Sequence, residues 1–176
     1  MSAPAPLGQG KAALDTPALL VDLDVMEANI AAIAAGCREN GVHWRPHIKG
    51  QKTIDILRKE LAAGATGVTC AKLGEAEVMA AAGIRHILIA NQIVGAIKVR
   101  RLIDLLDLAD AIVAVDSLAN LDELDQAARA RDKRLPVVIE VDQQRRRVQR
   151  RLAMAERCGG AHPPAARLAA SRLAAS

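Results

Sequence analysis

Aromatic residues are almost missing from this chain of 176 residues, which has no tyrosine, no phenylalanine and one tryptophan. The absence of a phenol excludes tyrosine as a general acid, a general base or a stacking group. Hydrophobic residues still make up 51% of the sequence, and most of them are Ala, Leu, Val and Ile. Because a chain of this length can bury a substantial core, we predict a globular domain with an aliphatic core.

Cysteines and long apolar runs are also scarce. The three cysteines, Cys37, Cys70 and Cys158, show no C-x-x-C pair and no other metal-binding spacing. The N-terminal stretch MSAPAPLGQGKAALD lacks the apolar segment of a signal peptide, and no run approaches the roughly 18 apolar residues of a membrane span. We therefore expect a reduced, cytoplasmic protein without a membrane partner.

Acidic residues are nearly absent from the last part of the chain. Residues 143–176 contain eight arginines and one acid, Glu156, for a formal charge of +7, whereas residues 1–142 hold 16 basic and 19 acidic groups, for −3. Clustered positive charge attracts phosphates without reading their sequence. Since no stacking aromatics accompany it, we expect no specific nucleic-acid partner.

Short apolar strands alternate with helices through the middle of the chain. Four predicted helices, TIDILRKELAA, LGEAEVMAAA, AIKVRRLIDLLDL and LANLDELDQAARARD, separate five predicted strands, VHWRPHIK, GVTCAK, HILIAN, AIVAVDS and PVVIEVD. Continuous β-branched strands are typical of parallel sheets buried on both faces. This spacing predicts right-handed parallel βαβ units.

One more strand and helix are predicted before this series. The strand is TPALLVDL, residues 16–23, and Asp24 is the predicted cap of a helix from Val25 to Glu39. We divide the chain into a flexible lead (1–13), a barrel domain (14–142) and a basic Ala/Arg-rich tail (143–176), either disordered or a short helix.

Polar residues recur where the five strands end, and this favours a barrel over an open sheet. The strand ends carry His47 and Lys49, Cys70 and Lys72, Asn91 and Gln92, Asp116 and Ser117, and Glu140 and Asp142. Barrel enzymes place reactive groups at successive carboxyl ends, whereas open sheets concentrate them at one switch point. We predict an α/β fold, a partial (β/α)8 TIM-type barrel with about five of the eight strands.

Several motifs together resemble a known family. LDTPALLVDLDVMEANI, RPHIKGQK, AAGATGVTCAKLGEAEVMAAAGI and ILIANQIVG look like the N-terminal half of the D-threonine aldolase / D-serine dehydratase-like enzymes. These are alanine racemase-type, or fold type III, enzymes that use pyridoxal 5'-phosphate (PLP). The resemblance runs from about Leu14 to Asp142 and is more specific for the family than for the reaction.

The resemblance implies that Lys49 forms the Schiff base with PLP, because it is the lysine of the family's R-P-H-x-K stretch. PLP chemistry needs a neutral amine, and the pKa of a free lysine, about 10.4, must be lowered by desolvation or positive charge. Arg45 and Lys52 add such charge. His47 lies two residues before Lys49, so in a strand both side chains would point to the same face. It is predicted either to contact the cofactor or to be a packing residue. Gln51 stands where family members often have a histidine, and it cannot titrate.

The remaining polar strand ends have two interpretations each. Arg45, Gln51, Lys72, Asn91 and Gln92 are candidates for lining the mouth of the active site, or else serve the loops. Cys70 is predicted to be a small buried residue and not a nucleophile. Asp116 and Ser117 are predicted to cap the next helix. No metal site is predicted, since three of the histidines show no ligand spacing: His43, His86 and His162.

The resemblance implies a PLP-dependent enzyme acting on D-amino acids, with D-threonine aldolase-like cleavage or D-serine dehydratase-like elimination as the leading reactions. Alanine racemase-like chemistry is less favoured because its opposite-face base is typically a tyrosine. Two alternatives stay open: a PLP-binding protein without turnover, and an inactive fragment whose basic tail attracts nucleic acid.

The family pattern breaks off after Asp142, where this chain continues QQRRRVQRRL. Family members continue with the rest of the barrel and a β-rich domain, which supplies divalent-metal ligands in the aldolases and dehydratases. We interpret the Arg-rich tail as a reading-frame change, a hypothesis that the nucleotide sequence would test. We then expect part of the active site to be lacking, and self-association through unpaired strand edges.

Overall fold

The computed structural model describes residues 8–141, in which helices and strands alternate. A short 3-10 helix, Lys11–Ala13, comes first. The α-helices of this part are α1 (Leu23–Glu39), α2 (Ile54–Ala62), α3 (Leu73–Ala81), α4 (Ala96–Leu105) and α5 (Leu118–Arg129). The strands are β1 (Val68–Cys70), β2 (His86–Ile89), β3 (Asp110–Val115) and β4 (Val137–Ile139). The predicted basic tail, with Cys158 and His162, lies outside the described residues.

The four strands form one parallel sheet in sequence order. β1 pairs with β2, β2 with β3, and β3 with β4. The connections through α3, α4 and α5 make three successive βαβ units, and α2 occupies the place predicted for the first helix of the series. The predicted α/β class is confirmed. A parallel sheet with helices in this order is consistent with part of a (β/α)8 barrel.

The strand predicted at VHWRPHIK is reduced to an extended neighbour of β1. His47 forms an isolated bridge with Thr69. The N–H of Thr69 donates to the carbonyl of Pro46 (2.8 Å), and the N–H of Thr66 donates to the carbonyl of Trp44 (2.8 Å). Pro46 has no N–H to donate, so the ladder is interrupted there. This predicted strand is therefore wrong in extent, although its place beside β1 is as expected.

The first predicted strand, TPALLVDL, is wrong. Residues 16–22 form neither a strand nor a helix, and the side chain of Leu19 is fully exposed. Within residues 8–141 no strand pairs with this segment, so its backbone has no ladder to join. Helix α1 also begins two residues before the predicted start. Asp22, not Asp24, is its cap, since its carboxylate accepts from the N–H of Val25 (3.1 Å).

An aliphatic core packs between the sheet and its helices, as predicted. Its largest fully buried side chains are Ile48, Leu57, Met79, Ile87, Ile89, Leu102, Ile103 and Leu124. Cys70 is fully buried among them. Burial, with a smaller contribution from the charge of Glu75, raises the pKa of the Cys70 thiol to about 12. This environment confirms Cys70 as a packing residue, since a nucleophile needs an accessible thiolate.

Helix α5 begins with the predicted cap. The hydroxyl of Ser117 accepts from the N–H of Asn120 (3.3 Å), which satisfies one of the free donors of the first turn. Across residues 8–141, no helix combines the length and the apolar character that a membrane crossing requires.

Candidate active site at the carboxyl edge of the sheet

Polar side chains gather where the parallel strands end. Residues 47–52, which we call the Lys49 turn, follow the bridge beside β1. Other polar residues follow β1, β2 and β4 directly. Because the carboxyl ends of parallel strands lie at the same edge of a sheet, the fold brings these segments to one side of the molecule. The strand-end residues are Lys72, Asn91, Gln92 and Glu140.

The Lys49 turn is fixed by its backbone and by the core. Ile48 is fully buried, its N–H donates to the carbonyl of Thr69 (3.0 Å), and its carbonyl accepts from the N–H of Lys52 (2.8 Å). The N–H of Lys49 donates to Nδ1 of His47 (3.1 Å). An accepting Nδ1 carries no proton, so neutral His47 has its proton on Nε2. His47 thus stabilises the turn through Nδ1, and within residues 8–141 its Nε2 makes no hydrogen bond.

The two lysines of the turn differ in their partners. Nζ of Lys52 lies 3.4 Å from Oε1 of Glu75. Lys52 has a φ of +49°, a left-handed conformation that is uncommon for a residue with a side chain. Lys49 is exposed, and its ammonium makes no hydrogen bond or ion pair with any residue between 8 and 141. Among residues 8–141, the amine of the turn without a partner is therefore that of Lys49.

Glu75 is a buried carboxylate that sequence reasoning missed. It lies in the first turn of α3 with its side chain 8% exposed, and Oε2 accepts from the N–H of Ala71 (2.8 Å). Burial alone would raise the pKa of Glu75. The Ala71 hydrogen bond and the charges of Lys52 and Lys72 outweigh burial and lower this pKa below its ordinary 4.5. An acid at the start of a helix was the available signal, but it fits any helix start.

A second buried carboxylate, Glu60 of α2, holds the turn from its other side. Nε2 of Gln51 donates to Oε2 of Glu60 (3.2 Å). Burial raises the pKa of Glu60, and the hydrogen bond from Gln51 limits the rise. Gln51, a predicted mouth residue, is thus engaged with α2 and braces the turn. Sequence reasoning also missed Glu60, whose signal was its position three residues after the buried Leu57.

The loops after the strands are linked by amide side chains. Nδ2 of Asn91 donates to the carbonyl of Ala71 (3.0 Å), and its Oδ1 accepts from the N–H of Gln92 (2.9 Å). Nε2 of Gln92 donates to Oε2 of Glu140, beyond the end of β4. Asn91 therefore holds the loops after β1 and β2 together. Lys72 is exposed at the start of α3.

Arg45 does not join this group. Its Nη1 donates to the carbonyl of His86 (3.3 Å), which is the first residue of β2 and therefore lies at the amino edge of the sheet. The positive field that Arg45 and Lys52 were expected to supply at Lys49 stays a prediction, and the contacts of both residues bear on it. Arg45 lies at the other edge, and the charge of Lys52 is balanced by Glu75.

Metal-ligating side chains do not cluster in the part of the chain that the structure describes. Between residues 8 and 141, no three His, Cys, Asp or Glu side chains come together in an arrangement that could hold an ion. The prediction that these residues bind no metal stays a prediction, for metal-binding measurements to test.

Comparison with known proteins shows the relationship of the chain. The sequence profile of the family described as alanine racemase, N-terminal domain, matches residues 21–168. The chain belongs to this family. The resemblance seen in its motifs is confirmed, and the family match continues beyond Asp142, where the motif resemblance stops.

Several relatives that are named as D-amino acid enzymes are similar to this chain over part of their length. D-threonine aldolase of Arthrobacter sp. is 40% identical over 139 residues, covering 79% of this chain and 37% of that protein. D-threo-3-hydroxyaspartate dehydratase of Delftia sp. is 41% identical over 93 residues, covering 50% of this chain and 24% of that protein. The crystal structure of D-threonine aldolase from Filomicrobium marinum has a TM-score of 0.78 at 40% identity, covering 81% of this chain and 38% of that one. The chain thus spans well under half of these relatives.

Proposed function

We propose that the chain functions in PLP-dependent lyase chemistry on D-amino acids that carry a hydroxyl group on Cβ. Threonine and 3-hydroxyaspartate, the amino acids named in the relatives, share this hydroxyl group. Aldolase-like cleavage of Cα–Cβ and dehydratase-like loss of the hydroxyl, as in a D-serine dehydratase, both belong to the proposal. The hydroxyl is the group from which the first reaction removes a proton and the group that the second expels.

Within this proposal, Lys49 is the residue that binds PLP covalently. The observation that carries the assignment is its amine, which has no partner in the described part of the chain and is presented at the carboxyl edge by a turn that the core and two buried carboxylates hold. When bound, PLP supplies an electron sink for bond breaking at Cα. His47 fits a cofactor contact, because its Nε2–H has no acceptor among residues 8–141.

The other predicted mouth residues divide into two groups. Lys72 and Gln92 remain candidates for lining the site, together with Glu140, because they lie at the carboxyl edge. Gln51 and Asn91 are proposed to shape the edge through their hydrogen bonds. Arg45, at the amino edge, has no place in the site and is dropped from the proposal.

The assignment of Lys49 is tested by trapping the cofactor. The purified chain is incubated with PLP, reduced with borohydride and digested, and the modified peptides are mapped. We expect the dominant adduct on Lys49, its loss in Lys49→Arg, and an unchanged amount in Lys98→Ala, whose exposed side chain lies on α4. A dominant adduct on Lys52 or Lys72 would refute the assignment. Product formation from D-threonine or D-serine would then separate an enzyme from a protein that binds PLP without turnover.

We also propose that the chain associates with itself through the edge of the sheet. Within the described residues β4 pairs on one side only, with β3. Val138 on β4 and Val141 just after it are each 40% exposed. An edge strand with free N–H and C=O groups and exposed apolar side chains recruits further strands. The proposed partner is therefore a second copy of this chain.

A further inference from the structure

Glu75 touches both of the segments that meet beside Lys49. Its Oε1 faces the ammonium of Lys52 in the Lys49 turn, and its Oε2 accepts from the N–H of Ala71 in the connection from β1 to α3. The two contacts use different oxygens, so one carboxylate bridges the turn and the connection. The function proposed above uses the hold of Glu75 on the turn but not its second contact, which ties the turn to the connection from β1 to α3.

We propose that Glu75 is a positioning residue for Lys49, acting through Lys52 to fix the Lys49 turn against the connection between β1 and α3. The proposal rests on the role proposed for Lys49. In this arrangement Glu75 does not touch the cofactor. Glu75 fixes the position of the turn's backbone, and the backbone fixes the position from which the Lys49 side chain extends.

The conformation of Lys52 supports this role. With a φ of +49°, Lys52 is in a region that residues with a side chain rarely adopt. Such a conformation persists only where the surroundings hold it. Here the N–H of Lys52 donates to Ile48 and the ammonium is paired with Glu75, so the residue is held at both ends. Without the pair, the side chain of Lys52 would be free, and the turn would lose its side-chain contact with α3 while keeping its backbone hydrogen bonds and the contact of Gln51 with Glu60.

Burial distinguishes this ion pair from the others on the same helix. Glu75 is 8% exposed, whereas Glu77, two residues later on α3, is 32% exposed and pairs with the half-exposed Arg101 of α4. Exposed pairs contribute little because water screens both partners. In Lys52→Met the buried carboxylate of Glu75 would keep the N–H of Ala71 but lose its ion-pair partner, which leaves a buried charge less compensated. Glu77 is therefore a matched control on the same helix.

The experiment uses the full chain and five variants: Glu75→Gln, Lys52→Met, Lys52→Arg, Glu77→Gln and the double variant Glu75→Gln/Lys52→Met. The first readout is the PLP concentration that half-saturates the borohydride-trapped adduct on Lys49. We expect this concentration to rise about tenfold in Glu75→Gln and in Lys52→Met, the effect of losing a hydrogen bond to a charged group. It should stay unchanged in Glu77→Gln and be restored in Lys52→Arg. The double variant should be no worse than the worse single one.

The second readout needs no PLP. Hydrogen exchange of the amides in residues 49–52 should accelerate in Glu75→Gln and Lys52→Met, while exchange in β2 and α4 stays at the wild-type rate. A merely structural role would accelerate both. If Glu75→Gln does not fold, Lys52→Met carries the test, because its side chain is half exposed.

The outcomes separate this inference from the function on which it rests. If the wild-type chain forms no adduct on Lys49, the proposed function fails, and Glu75 then has no Lys49 chemistry to position. If the wild type forms the adduct and both variants match it in saturation and in exchange, the positioning role of Glu75 is refuted while the proposed function stands.

Discussion

Replacing Gly67 with alanine should destabilise the fold more than any other glycine replacement in the described part. Gly67 precedes β1 with a φ of +152°, a conformation essentially restricted to glycine. A Cβ at this position would lie 2.9 Å from Cβ of His86, 2.7 Å from Nη1 of Arg45, and closer still to the carbonyl oxygen of His86. Real Cβ atoms do not approach other atoms so closely.

The magnitude depends on which of these neighbours can move. The guanidinium of Arg45 is the end of a flexible side chain and can rotate away. The carbonyl of His86 is part of β2, which is paired in register with β1 and β3. The backbone conformation costs about 1–3 kcal/mol for a residue with a Cβ, and overpacking adds about 1–3 kcal/mol. We therefore expect a loss of about 4 kcal/mol, a large part of the 5–15 kcal/mol typical of a domain.

Urea unfolding followed by far-UV circular dichroism measures this loss as a lower midpoint. Gly36→Ala is the matched control, because Gly36 lies inside α1 and a Cβ there would meet open space, so alanine should raise stability by about 0.5–1 kcal/mol. Adding Arg45→Ala to Gly67→Ala should recover only a minor part. A Gly67→Ala chain with the wild-type midpoint would refute the reasoning from the His86 carbonyl.

Three further predictions concern charge and assembly. Because the pKa of Glu60 is raised, its contribution to stability is complete below pH 4.5 and is lost as the pH rises through that pKa. The Glu60→Gln variant should therefore unfold at a higher urea concentration than wild type near pH 7.5 but not near pH 4. A lower urea midpoint near pH 7.5 would contradict this. The lowered pKa of Glu75 gives stability the opposite pH dependence, since the contribution of Glu75 is present above pH 4.5 and is lost as the pH falls through that pKa. The Glu75→Gln variant should therefore be less stable than wild type near pH 7.5. An equal loss of stability near pH 2 would count against this reasoning. Sedimentation velocity should show concentration-dependent oligomers that diminish in Val138→Lys, whereas a monodisperse monomer of 18.6 kDa would exclude edge-mediated association.

The apolar pattern of the sequence correctly predicted strands that pair with neighbouring strands in the sheet. It failed for TPALLVDL, which has no such neighbour in the described residues. AIVAVDS and HILIAN became β3 and β2 because the sheet provides a partner on each side. TPALLVDL is also largely apolar, yet it pairs with nothing in the described residues. Composition reports that a segment can enter a sheet. Whether a neighbouring strand is present depends on the rest of the chain.

Distance along the strand explains the successes and errors at the site. Arg45 comes before the bridge of His47 with Thr69, whereas Lys49 lies in the turn that follows this bridge. Arg45 was expected near Lys49 because both belong to the RPHIK stretch, but its guanidinium contacts the first residue of β2, at the amino edge of the sheet. The contacts of Gln51 with Glu60 and of Lys52 with Glu75 join residues distant in sequence, and no periodicity reports them.

Trp44 makes the chain its own optical probe. It is the one tryptophan, and no tyrosine or phenylalanine contributes background emission. Its carbonyl is tied to Thr66 beside β1, five residues before Lys49. Native fluorescence therefore reports on the segment that leads into the Lys49 turn and on little else. A pyridoxyl group fixed on Lys49 absorbs where tryptophan emits, so the quenching of this single emitter would follow occupancy of the site without any added label.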